Sequence, residues 1–165
     1  VLEVFIGEHD NKIDTKGRMS VPADFRRVLE EGDPKWEPGK NASMAIVHGT
    51  EARNYLEVFT MTSFERVHKK ISKLPPASKQ RRALEILYAA KTVTATLDET
   101  GRIVLPARLR DKLNLQGAVK IVGSGQTFKI WEPAVYEAEN AMQLMEDEDF
   151  DPNVDASVYL PGDED

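Results

Sequence analysis

One sixteen-residue phrase occurs twice, and it constrains the fold more than any other feature of the chain. Residues 14–29 read DTKGRMSVPADFRRVL and residues 98–113 read DETGRIVLPARLRDKL. Seven positions are identical at an offset of 84 residues: Asp14/Asp98, Gly17/Gly101, Arg18/Arg102, Pro22/Pro106, Ala23/Ala107, Arg26/Arg110 and Leu29/Leu113. Met19/Ile103, Val21/Leu105 and Phe25/Leu109 match in character. A repeat of this length implies a duplicated unit whose copies pack on one another, because one short unit cannot bury its own apolar face.

The likeness extends further. YLEVFTMTSFE (55–65) corresponds to TFKIWEPAVYE (127–137) at an offset of 72. The first copy therefore carries 12 extra residues (84 − 72). EEGDPKWEPGKN (30–41), rich in Pro, Gly and charge, is the expected surface insertion.

Within each phrase the local chemistry is legible. Asp14-Thr-Lys-Gly17 and Asp98-Glu-Thr-Gly101 are turn signals. Asp accepts hydrogen bonds from nearby backbone N–H groups, and Gly takes positive φ without steric cost. Short strands follow, and Pro22 and Pro106 end them and open short helices. Phe25, Val28 and Leu29 share one helical face. Strands are expected at 44–48, 55–59, 91–97, 118–123 and 128–132. A helix capped by Thr62 or Ser63 runs to Pro75-Pro76, Ser78 caps a second, and Ala134–Met145 is the last. The expected organisation is a first unit at 4–60, a linking helical pair at 61–90, a second unit at 91–133, a C-terminal helix at 134–145 and an acidic, disordered tail at 146–165.

Charge must be read by segment. The chain carries a net −6, yet residues 139–165 hold ten Asp and Glu and no Lys or Arg, a net of −10. The remaining 22 Lys and Arg against 18 Asp and Glu leave the body at +4, so an acidic pI is no argument against a polyanionic partner. Seven of these cations fall between Arg66 and Arg82. They fit a phosphate patch, a solvated face or a subunit interface. Cysteine is absent, which removes disulfides, thiolate metal sites and cysteine nucleophiles. No run of 18 apolar residues suggests a membrane span.

Enzyme readings find little support. His9, His48 and His68 lack metal-ligand spacing. Gly123-Ser-Gly125 reads as a hairpin turn, since no Lys-Ser/Thr follows to hold phosphate. Asp147–Asp155 has the acidity of a calcium loop but carries Pro152 where glycine is required. No cofactor, metal or small-molecule substrate is expected. Two readings stay open for Asp14/Arg18 and Asp98/Arg102. In one, the pairs only fix their turns as local ion pairs; in the other, each Asp orients an Arg whose planar fork can bond phosphate or guanine. Arg26 and Arg110 read as packing or pairing residues.

Two copies of Asp-x-x-Gly-Arg-(apolar)-x-(apolar)-Pro-x-x-(aromatic or Leu)-Arg, each followed by a hairpin and helix, closely resemble the MraZ family over residues 4–142. Each unit resembles a SpoVT-AbrB domain. The resemblance implies an α+β fold in which two pseudo-twofold-related swapped-hairpin units share a small β-barrel with peripheral helices. It implies a sequence-specific, double-stranded-DNA-binding transcriptional regulator of a division and cell-wall gene cluster. Such a protein would bind direct repeats upstream of its own operon as a ring-shaped homo-oligomer, in the cytoplasm and at the nucleoid. Carried over residue by residue, DNA contact falls on Lys16, Arg18 and Arg102, with Asp14, Gly17, Asp98 and Gly101 as motif support. The second turn departs from the first, since Thr100 replaces Lys16 and Glu99 adds a negative charge. The alternative is an antitoxin-like interaction module with the same barrel type.

Overall fold

The computed structural model describes residues 4–163, which fall into two compact units divided after Pro133. The first unit holds eight strands: β1 (Glu8–Lys12), β2 (Arg18–Ser20), β3 (Ser43–Val47), β4 (Tyr55–Thr60), β5 (Thr92–Thr96), β6 (Arg102–Val104), β7 (Ala118–Gly123) and β8 (Thr127–Trp131). It also holds helices α1 (Ala23–Glu31), α2 (Met61–Ile71), α3 (Lys79–Glu85), which runs on into a π-helical turn at Ile86–Ala90, and α4 (Ala107–Leu113).

Strand pairing reveals how the repeats interlock. Six strands form one antiparallel sheet in the order β1-β7-β8-β4-β3-β5, and β2 pairs with β6 as a separate ribbon. Exchanging each strand for its counterpart (β1 for β5, β2 for β6, β3 for β7, β4 for β8) returns the same order reversed. That is the signature of a pseudo-twofold axis. The axis passes between Met19 and Ile103 in the ribbon, and between Glu57 and Lys129 in the sheet, because these equivalent residues face one another. Each copy lends its first strand to the other, since β1 pairs with β7 and β5 with β3.

Register also relocates the insertion. Glu8 pairs with Val122, and its counterpart Thr92 pairs with Val47, which sets the β3-to-β7 offset at 75. The offset is 84 before this point and 72 after it. Nine of the extra residues therefore lie between α1 and β3, and three lie in the β3–β4 hairpin loop. The expected single insertion at 30–41 is split in two.

The fold is α+β, but the sheet does not close into a continuous barrel among the described residues. Its edges are β1 and β5. Each edge strand turns back at once into the ribbon. Ile13 bridges Met19, Val21 N–H donates to the Gly101 carbonyl at 3.0 Å, and Leu105 N–H donates to the Gly17 carbonyl at 2.8 Å. The ribbon thus lies over the open side that a barrel would have closed with a ladder.

Side-chain alternation puts one core on each face of the sheet. Met44, Ile46, Leu56, Val58, Phe128 and Ile130 point inward, where Met19 and Ile103 of the ribbon and Phe25, Leu29, Leu109 and Leu113 of α1 and α4 meet them. Val21, Phe25, Leu105 and Leu109 are each at most 2% exposed, so both repeats share a single core. Each such side chain contributes about 1.5–3 kcal/mol of burial. Ala45, Val47 and Phe59 face the other way, under Phe64 and Val67 of α2 and Tyr88.

Helix α2 starts earlier than the sequence suggests. Its cap is Thr60, whose hydroxyl accepts the Ser63 N–H at 3.1 Å, because β4 runs straight into the helix. Ser78 caps α3 as expected, accepting the Arg81 N–H.

In the second unit, α5 covers Pro133–Gln143. The following acidic segment, expected to be disordered, has local order. The Asp147 carboxylate accepts the N–H groups of Asp149 and Phe150, Asp155 caps a 3-10 turn at Ala156–Tyr159, and the Phe150 and Tyr159 rings lie 5.2 Å apart. Asp residues make such turns without any packed core.

Candidate nucleic-acid interface

The repeated turns sit at opposite ends of the β2–β6 ribbon. Gly17 (φ 85°) and Gly101 (φ 78°) hold the positive φ that each turn needs. A methyl group at Gly17 would strike the Leu105 carbonyl oxygen, and one at Gly101 the Arg26 guanidinium. Backbone therefore fixes glycine by space as well as by φ at Gly17, whereas at Gly101 the positive φ is the stronger demand.

Each Asp organises its turn in the same way. Asp14 Oδ1 accepts the N–H groups of Lys16 and Arg18, both at 2.9 Å, and Oδ2 accepts Arg18 Nε–H at 2.6 Å. Asp98 Oδ1 accepts the N–H groups of Thr100 and Arg102, both at 2.9 Å, and the Thr100 hydroxyl at 2.8 Å. Its Oδ2 accepts Arg102 Nε–H at 3.2 Å. Binding through Nε fixes the side chain while leaving the two terminal nitrogens of each guanidinium without a partner among the described residues. Arg18 and Arg102 side chains are 40% and 38% exposed.

These bonds favour the ionised carboxyl. The Arg18 N–H, above all, lowers the Asp14 pKa below 3.8. The Arg102 N–H, then the Thr100 hydroxyl, lower that of Asp98 to about 2. A depressed folded-state pKa means the turn gains its full contribution above 3.8 and loses it as pH falls through about 2. A carboxyl-carbon NMR titration should give Asp98 a midpoint near 2. A midpoint near 3.8 would show that the turn bonds are not made in solution.

Alternation along the ribbon then sets what faces outward. Met19 and Ile103 are buried, so Arg18, Ser20, Arg102 and Val104 share the opposite face. Arg18 faces Val104 and Ser20 faces Arg102 across the ladder. The two arginines therefore lie on a diagonal, about 7–8 Å apart at the backbone. Lys16 is exposed at the tip of the first turn, where Thr100 occupies the second.

The structure gives targets to the two arginines that the sequence marks as packing or pairing residues. Arg110 of α4 reaches across to the first repeat's turn, donating from Nη1 to the Thr15 carbonyl at 3.0 Å and from Nε to its own repeat's Leu105 carbonyl at 3.1 Å. The guanidinium of Arg26, on α1, lies against Gly101 in the second turn. Each turn is thus braced by the other repeat. The identity of Arg26 and Arg110 in the repeat was the available signal, but only the swapped topology shows their target.

Among the described residues no group of three His, Cys, Asp or Glu could hold a metal ion, and no helix is long and apolar enough to cross a membrane.

Comparison with known proteins places this geometry. The model of the family described as "MraZ protein, putative antitoxin-like" matches twice, at residues 4–87 and 88–151. A protein of Ruegeria sp. (strain TM1040) named "Transcriptional regulator MraZ" is 47% identical over 154 residues, covering 90% of this chain and 92% of the relative. One of the same name from Ruegeria pomeroyi is 44% identical, covering 96% and 95%. Another from Rickettsia bellii is 34% identical over 80% of this chain and 83% of its own length.

Proposed function

The chain belongs to the MraZ family, and from that premise we propose that its β2–β6 ribbon is the reading head of a DNA-binding transcriptional regulator. The relatives' shared name supports a DNA-binding, non-enzymatic regulator. The diagonal pair Arg18 and Arg102, on the outward face of a two-stranded ribbon, carries the reading. A ribbon of this kind fits the major groove, and an arginine with both terminal nitrogens available can bond guanine O6 and N7 together. Asp14 and Asp98 hold the arginines in place and do not touch DNA. Lys16 supplies a phosphate contact.

One ribbon is small. Three residues per strand at about 3.4 Å each span roughly three base-pair steps. Several copies are needed for an operator, and a ring that engages direct repeats provides them through effective concentration. The repeats are those upstream of the protein's own operon, at the head of the division and cell-wall cluster.

A mobility-shift titration with the DNA upstream of its own gene, at two salt concentrations and beside scrambled DNA, tests this reading. The expected result is preferential, salt-weakened binding by an assembly that light scattering sizes well above one chain. A monomer at micromolar concentration would remove the ring. No preference over scrambled DNA would favour a protein-interaction module, the second reading, which the family's antitoxin-like description motivates.

A further inference from the structure

We propose that α2 and α3 form a second, sequence-independent phosphate-binding surface, so that one copy can hold the backbone of a second duplex segment. The proposal rests on the DNA reading above only for its choice of polyanion. Arg66, Lys69 and Lys70 lie on α2, and Lys73 on the tight turn that continues it, where Lys73 N–H donates to the Lys70 carbonyl at 3.1 Å. Their spacing of i, i+3, i+4 and i+7 puts all four on one helical face, and all are exposed. Lys79 and Arg82 of α3 are exposed as well.

Glu65, four residues before Lys69, is the one acidic residue on α2, and no ion pair engages the cations of the stripe among the described residues. Among the described residues the one ion pair in this segment is Arg81–Glu85 at 3.7 Å, and Arg81 is occupied in bonding the Ser72 and Leu74 carbonyls. Like charges at helical neighbour positions oppose helix formation. The α2 macrodipole offsets this for Lys69 and Lys70 in its last turn, but not for Arg66, which lies earlier. An external anion would relieve the repulsion across the whole stripe.

One end of the stripe borders a shallow cleft of about 80 Å³, where Arg66 and Lys70 stand beside Ser63, Thr127 and Gln126 of the β7–β8 turn over a floor of Phe59 and Val67. Two cations with a hydroxyl and an amide beside them suit a phosphodiester oxygen.

The location separates this surface from the ribbon. Phe64 and Val67 of α2 pack on Ala45, Val47 and Phe59, on the sheet face opposite the one that Met19 and Ile103 cover. With layers about 10 Å apart, the stripe and the ribbon lie roughly 20 Å apart on opposite sides. A straight duplex seated on the ribbon cannot reach the stripe.

The test uses full-length protein carrying Arg66→Gln, Lys69→Gln, Lys70→Gln and Lys73→Gln together, since Gln keeps helix propensity while removing charge. A duplex of unrelated sequence is titrated into parent and variant across a salt series. The expected loss is about two to four units of log–log salt slope, since each phosphate contact is worth about 0.9, with at least a tenfold drop in low-salt affinity. Parent protein whose ribbons are first saturated with upstream duplex should capture a labelled duplex of unrelated sequence, and the fourfold variant should not. An unchanged slope, or equal capture by both proteins, overturns the proposal. So does a changed assembly size with an unchanged slope, which would assign the stripe to contacts between copies. Failure of the ribbon reading appears separately, as no preference for the upstream DNA, and leaves the slope measurement intact.

Discussion

Arg18→Ala should lower affinity for the upstream DNA by about 5- to 150-fold for each ribbon engaged, with the size of the assembly unchanged. A bidentate arginine–base contact is worth about 1–3 kcal/mol, and about 1.4 kcal/mol is tenfold in affinity. In an assembly that engages several repeats the losses multiply, so even the low end is measurable. Lys16→Ala should act differently, lowering the salt slope by about one while leaving sequence preference alone. Arg102→Ala should cost less than Arg18→Ala. The two arginines are held alike, but Glu99 and Thr100 make the second turn less attractive to a polyanion than Lys16 makes the first. Titration of all three variants at two salt concentrations, with light scattering in parallel, checks each statement. Parent-like binding by Arg18→Ala, or a clearly larger loss in Arg102→Ala, would overturn the assignment of the first turn as the main reader.

Phe25→Ala should destabilise the chain by about 3–5 kcal/mol, the usual result of truncating a fully buried aromatic residue. Phe25 is 1% exposed, and its ring lies 5.1 Å from those of Phe5, His9 and Phe128. Phe128 belongs to the second repeat, so the cavity opens where the repeats join. Against a total of about 5–15 kcal/mol the loss is a large fraction of the fold's stability. Urea unfolding followed by tryptophan fluorescence and by circular dichroism should show one shared transition, moved to lower urea. A loss below about 1 kcal/mol, or two separate transitions, would contradict a core common to both repeats.

Much of this was legible in the sequence because the repeat carries its chemistry locally. Asp14, Gly17 and Pro22 name a turn, a positive φ and a helix start without reference to anything distant. The short apolar runs in MAIVH and YLEVF, rich in β-branched and aromatic residues, give their strands directly. What resisted reading was long-range. The exchange of β1 and β5 between repeats depends on pairings across more than a hundred residues for β1 and β7, which local periodicity does not encode. Arg26 and Arg110 looked like packing residues because their targets, Gly101 and Thr15, sit on the other repeat. Thr60 was passed over as a cap because it also ends a strand, and a residue shared by two elements belongs to neither pattern. The local turns of the acidic segment are not legible either, because composition reports the lack of a core but not the short-range bonds that Asp147 and Asp155 make.

The pseudo-twofold axis through Met19 and Ile103 has an evolutionary consequence. In a dimer of two identical chains, one substitution in the turn changes both half-sites at once, and the recognised sequence stays symmetric. Here the two turns are encoded separately while the exchanged strands keep them locked in the same geometry. Lys16 against Thr100, and Glu99 with no acidic counterpart at Thr15, show that they have already diverged. With the ribbon as the proposed reading head, covalent linkage of the halves would free each to drift toward its own base pairs, so an asymmetric operator would cost the protein nothing in assembly.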